Sequence, residues 1–75
     1  SLNDKNYKGV IEVGPGLGSL TRYLVETYDK VLCYEIDTDM IEVLNDTIES
    51  DKLKIKEGDF LKSNVSKDIK EIVEF

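Results

Sequence analysis

An apolar run, broken by glycines at alternate positions and followed at once by a helix-forming stretch, leaves a chain few folds to choose from. Here the run is Val10-Ile11-Glu12-Val13 and the break is Gly14-Pro15-Gly16-Leu17-Gly18. Leu20, Leu24 and Val25, with Tyr23 and Tyr28 nearby, then predict an amphipathic helix over residues 19–28, with Ser19 as its N-cap. Strand, tight glycine turn and helix together open a βαβ unit. Glycine accepts the positive φ that such a turn needs. Without a Cβ it also lets the backbone pass close to a bound molecule. The first N–H groups of the following helix lack intrahelical partners and face that molecule.

The same alternation continues down the chain. Residues 30–36 are rich in β-branched and aromatic side chains and predict a second strand. Asp37 or Thr38 can cap a second helix whose Met40, Ile41, Leu44 and Ile48 share one face. Residues 52–56 read Lys-Leu-Lys-Ile-Lys, a third strand with Leu53 and Ile55 on one side and lysines on the other, ended by Gly58-Asp59. A polar loop over residues 62–67 and a helix over residues 68–75, with Ile69, Ile72 and Val73 on one side, complete the pattern. Residues 1–8 are a polar entry segment. Such alternation implies an α/β fold with a parallel sheet, one half of a doubly wound arrangement, in which ligands bind beyond the carboxyl ends of the strands.

Composition narrows the function. Seventy-five residues make one small domain at most, and a chain of this length buries only about 60% of its unfolded surface. Sixteen acidic against ten basic residues give a net charge of −6, so these residues alone are no grip for nucleic-acid phosphates. The single cysteine, Cys33, lies in an apolar run and reads as a buried strand thiol. It offers no internal disulfide and no metal site, which fits the reducing cytoplasm. There is no histidine, the commonest general base and metal ligand. The apolar runs are far too short for a membrane span.

Three features fall at successive strand ends: the loop Gly14–Gly16–Gly18, then Glu35, then Asp59. Glu35 can accept from two vicinal hydroxyls, as a ribose presents, or stand as a solvated strand-end carboxylate. Asp59 can accept from an exocyclic amine such as that of adenine, or serve as a turn or cap residue. Ile36 and Phe60 can sandwich an adenine ring, or be ordinary core residues. Glu12 is an acid inside an apolar strand, which is costly without a partner. A cationic ligand group would be such a partner. A dinucleotide would bring a pyrophosphate for Glu12 to repel, whereas S-adenosyl-L-methionine brings an ammonium and a sulfonium. The spacing agrees: dinucleotide loops read G-x-G-x-x-G, and here the run is G-x-G-x-G with Ser19 at the later place.

These residues resemble a known family. Glu-Val-Gly-Pro-Gly-Leu-Gly-Ser-Leu-Thr (12–21) is similar to the cofactor motif of the small-subunit ribosomal RNA adenine dimethyltransferases, Tyr-Glu-Ile-Asp (34–37) to their second motif, and Glu-Gly-Asp-Phe-Leu-Lys (57–62) to their third. Relatives that methylate large-subunit RNA and confer macrolide resistance share Gly-Pro-Gly. The resemblance covers residues 9–62. It implies a class I methyltransferase fold, here a truncated Rossmann-like half, with S-adenosyl-L-methionine as cofactor and Gly14, Glu35 and Asp59 as contacts. Gly16 and Gly18 match the other loop glycines. It implies transfer of two methyl groups to adenine amines in a hairpin of the small ribosomal subunit, in the cytoplasm, with neither metal nor membrane involved. The target base would have to leave its stack.

Two departures accompany the resemblance. Residues 1–8 lack the family's Gln-Asn-Phe-Leu type segment, and no Asn-Leu-Pro-Tyr type catalytic tetrad follows. The expectation is therefore a partial cofactor-binding domain over residues 1–75, without the tetrad or the C-terminal RNA-binding domain, and inactive by itself. Three other readings compete. One is an NAD- or FAD-binding half-domain of an oxidoreductase, which Glu12 and Gly18 disfavour. A second is a structural module whose glycine loop is only a turn. The third is a class I methyltransferase with a substrate other than RNA.

Overall fold

The computed structural model describes residues 9–74. Strands β1 (Gly9–Val13), β2 (Lys30–Glu35) and β3 (Leu53–Glu57) form one parallel sheet in the order β1-β2-β3. The crossovers carry helices α1 (Ser19–Thr27) and α2 (Thr38–Thr47). A single 3-10 turn, Phe60–Lys62, leads from β3 into α3 (Val65–Glu74). This is the Rossmann-like α/β half that the alternation predicts.

β2 is the central strand, with α1 packed on one face and Phe60 and α3 on the other, so it is buried on both faces. That is why Val31-Leu32-Cys33-Tyr34 is continuously apolar in place of alternating. Val31 and Cys33 join Leu24, with Val25, Tyr28, Leu53 and Ile55 packed around them. Leu32 and Tyr34 point to the opposite face, where Ile11 and Phe60 pack.

The helices follow their predicted faces with instructive shifts. On α1 the buried or half-buried positions are Thr21, Leu24, Val25 and Tyr28, spaced i, i+3, i+4, i+7, while Leu20 and Tyr23 are exposed. Ser19 is not the N-cap. Gly18 holds that position in the left-handed region (φ 90°, ψ 18°), with no side-chain cap. On α2 the capping residue is Asp37, whose Oδ1 accepts from the N–H groups of Asp39 (2.9 Å) and Met40 (3.4 Å). Leu44 and Ile48 bury the inner face of this segment as expected.

The largest differences lie after β3. Helix α3 starts at Val65, inside the expected polar loop, because Asn64 supplies a cap: its Oδ1 accepts from the Lys67 N–H at 3.1 Å. The lysine side of β3 is not a bare face. Lys56 Nζ donates to Asp68 at 2.8 Å and to Glu71 at 3.0 Å, and Lys54 lies 3.7 Å from Glu71. Helix α3 thus docks through acids on lysines, and Asp68 is buried while Ile69 is exposed. The expected apolar side fails at Ile69. The side chains of Ile72 and Val73, and residues 1–8, lie outside the described residues.

Candidate functional site

Two backbone bonds gather the three strand ends. The Gly14 N–H donates to the Tyr34 carbonyl (2.8 Å), and the Gly58 N–H donates to the Glu35 carbonyl (2.9 Å). The glycine loop, the end of β2 and the turn after β3 therefore share one rim, as a parallel sheet requires. A cleft of about 150 Å³ opens there. Of the predicted residues, Gly14, Glu35, Ile36, Asp59 and Phe60 line it, and Val13, Tyr34 and Gly58 complete it.

Glu35 is the buried carboxylate of the rim. Only 7% of it is exposed. Its Oε1 accepts from the Gly16 N–H at 3.3 Å and its Oε2 from the Asp37 N–H at 3.0 Å. One carboxylate thereby ties the glycine loop to the start of α2. Asp59 is exposed, and its Oδ1 accepts from the Leu61 N–H (2.9 Å), capping the 3-10 turn. Its second oxygen has no donor among the described residues.

The glycines divide their work. A Cβ built at Gly14 (φ 68°) or Gly16 (φ 59°) would meet nothing within 4 Å, so their backbone is open to a ligand. Gly18 is different. Its Cβ would lie 2.8 Å from Leu44 Cδ2 and 2.9 Å from Ile48 Cδ1, and Gly18 does not line the cleft. The structure gives Gly18 an internal packing role, and Gly18 also holds the cap position expected of Ser19.

Glu12 lies behind the loop, 8% exposed. Its Oε1 accepts from Thr21 Oγ1 (2.5 Å) and from Cys33 Sγ (3.4 Å). The partner that an acid in an apolar strand demands is thus found first inside the protein, in two neutral donors that the sequence reading did not name. The Cys33 thiol is pushed up to about 12 by burial and by the adjoining Glu12. A wider groove of about 580 Å³ runs along β1 and α1, lined by Val10, Glu12, Leu17 and Leu20 among others. It is larger than the cleft and runs beside β1, which among the described residues pairs on one side only. The smaller cleft has the convergent polar groups of a binding site.

Tyr34 is a cleft residue that sequence reasoning missed. Its ring packs edge-on against Phe60, centroids 5.1 Å apart at 76°. Its hydroxyl donates to Asp68 Oδ2. Burial, then that bond, raises the phenol pKa, while Lys56 and then Tyr34 hold the Asp68 carboxyl below its usual range.

Comparison with known proteins matches residues 1–74 to the model of a family described as ribosomal RNA adenine dimethylase. The chain belongs to this family. Among curated relatives, it is 49% identical over 63 residues to a ribosomal RNA small subunit methyltransferase A of Leuconostoc mesenteroides, covering 83% of this chain and 21% of that protein. It is 47% identical over 60 residues to the protein so named in Mycoplasmopsis pulmonis (80% and 24%). For a Staphylococcus aureus counterpart the identity is 49% over 67 residues (88% and 21%). The chain thus spans between a fifth and a quarter of the length of these adenine dimethylase relatives. Among the described residues of this family member, no helix is long and apolar enough to cross a membrane. No group of three or more His, Cys, Asp or Glu among them could hold a metal.

Proposed function

We propose that these residues form the cofactor-binding part of a ribosomal RNA adenine dimethyltransferase that uses S-adenosyl-L-methionine and acts on small-subunit rRNA in the cytoplasm. The observation that carries the reading is the single rim on which Gly14, Glu35, Asp59 and Phe60 meet. Family membership and the names of the relatives support the substrate.

The donor set fits the adenosyl end of such a cofactor. Glu35 would accept from the ribose hydroxyls, since each of its oxygens keeps a second lone pair beyond the N–H it already holds. Asp59 would accept from the adenine amine, and Ile36 and Phe60 would flank the ring. Gly14 and Gly16 would admit the ligand at backbone distance, with Gly18 shaping the loop from behind. Glu12 would face the cationic end across the loop. When bound, the cofactor supplies an activated methyl group. This chain's residues contribute binding and orientation, and orientation is the larger part of catalysis where the leaving group is good.

Calorimetric titration with S-adenosylhomocysteine tests the reading. The chain should bind it, and Glu35→Gln should lose about 1–3 kcal/mol of affinity. Binding of NAD in its place would move the chain to the oxidoreductase class. No binding of either by a cooperatively folded chain would sink the proposal.

A further inference from the structure

We propose that Asp68 is a positioning residue for the strand-end cleft: held by Lys56, it fixes the Tyr34 hydroxyl, and through the Tyr34 ring it sets where Phe60 stands in the cleft wall. The inference deepens the cofactor reading above and rests on it for the identity of the ligand.

The geometry runs in one line from α3 to the cleft. Tyr34 is only 2% exposed, with its ring at the cleft and its hydroxyl on Asp68, thirty-four residues further on. Asp68 is 4% exposed, and a carboxylate so buried needs partners for both oxygens. It has them: Oδ1 takes Lys56 Nζ at 2.8 Å, and Oδ2 takes the phenol. Lys56 also donates to Glu71 at 3.0 Å, a contact that does not touch Tyr34. A bond from a hydroxyl to an ionised acceptor is stronger and more directional than one between neutral groups. It therefore sets the rotation and depth of the phenol. Phe60 rests edge-on against that ring, so a shift of Tyr34 becomes a shift of Phe60. Phenylalanine at position 34 would fill nearly the same volume, so what the hydroxyl adds is this attachment.

A purely structural role predicts something else. Glu71 also anchors α3 on Lys56, yet no bond links it to Tyr34. Loosening α3 through Glu71 should leave the cleft wall in place, whereas loosening it through Asp68 should not.

The experiment uses the chain with 4-fluorophenylalanine placed site-specifically at position 60 alone, so that a phenylalanine introduced at position 34 carries no label. Asp68→Asn and Tyr34→Phe should each move the Phe60 fluorine line. Each should also weaken S-adenosylhomocysteine binding roughly three- to tenfold, the size expected for one lost hydrogen bond. Their combination should be no worse than the poorer single variant, because both cut one linkage. Glu71→Gln should change neither readout. An unmoved Phe60 line in Asp68→Asn, or an equal response in Glu71→Gln, overturns the proposal. If Asp68→Asn does not fold, Tyr34→Phe, which keeps the ring, decides by the same criteria. If the unaltered chain fails to bind the ligand, the cofactor reading falls, and the fluorine line still judges the linkage.

Discussion

Replacing Gly18 by alanine should unsettle the whole fold, although only one methyl group is added. Two costs follow from the structure. Gly18 has φ +90°, where an L-residue pays for its Cβ by about 1–2 kcal/mol. The new methyl would also lie 2.8 Å from Leu44 Cδ2 and 2.9 Å from Ile48 Cδ1. Those atoms end flexible side chains, but Leu44 has no exposed surface and Ile48 only 8%, so neither can swing into solvent. Overpacking of this kind costs about 1–3 kcal/mol. Reduced freedom of the unfolded chain returns roughly 0.4–1 kcal/mol. The net expectation is about 1–4.5 kcal/mol, against a total of roughly 4–11 kcal/mol for 75 residues. Urea unfolding followed by far-ultraviolet circular dichroism should show a lowered midpoint at unchanged slope. Leu44→Ala, costly alone at about 2–5 kcal/mol, removes one clashing atom. The double variant should therefore lose less than the sum of the singles. A loss below about 1 kcal/mol, or strict additivity, would refute the packing argument.

Further expectations come from the charged and capping groups. The Cys33 thiol, with its pKa near 12 and no exposed surface, should react with a thiol reagent at pH 8 only at the rate of unfolding; rapid stoichiometric labelling of folded protein would contradict its burial. Asp68 and Glu71 titrate below their ordinary 3.8 and 4.5 when folded, so their stabilisation is complete above about pH 4.5 and fades as pH falls through the folded values. Lys56 titrates above its ordinary 10.5, so its contribution is whole below that pH and is lost on going more alkaline. Urea midpoints measured against pH should show both limbs, and Lys56→Met should flatten them. Asp37→Ala should cost about 1 kcal/mol through the lost cap of α2, read as a lower thermal midpoint.

How far the sequence reaches depends on whether a residue's neighbours are local. The order of elements, the strand ends that carry Gly14, Glu35 and Asp59, and the Asp37 cap were legible, because each rests on periodicity or on turn chemistry within a few residues. The misplaced features rest on contacts between distant segments. Ser19 looks like a cap, but the cap is Gly18, whose close approach to Leu44 and Ile48 of the distant α2 segment no local pattern reveals. The lysines of β3 look solvated until α3 lays Asp68 and Glu71 over them. The internal donors to Glu12, Thr21 and Cys33, lie 9 and 21 residues further on, beyond what its own neighbours reveal. Nothing near Tyr34 in the sequence marks its hydroxyl's bond to Asp68, thirty-four residues on.

Glu35 shows why a site and a fold can use the same atoms. Its carboxylate is nearly buried before any ligand arrives, and its desolvation is offset by the N–H groups of Gly16 and Asp37. A ribose would thus meet a charge already stripped of water and already aimed, which is the condition under which binding loses least to ordering. The same arrangement means that Glu35→Gln has two effects. Its amide can serve only one of the two N–H groups, since its nitrogen donates. The loop or the start of α2 then loses an acceptor even without ligand. The two effects part cleanly: the loop's share appears in the stability of the unliganded chain, and the ribose's share only in the difference between adenosine and its 2′,3′-dideoxy form. A wild-type preference for adenosine that vanishes in the variant assigns the carboxylate to the hydroxyls. A preference that survives would leave Glu35 as a brace for the loop alone.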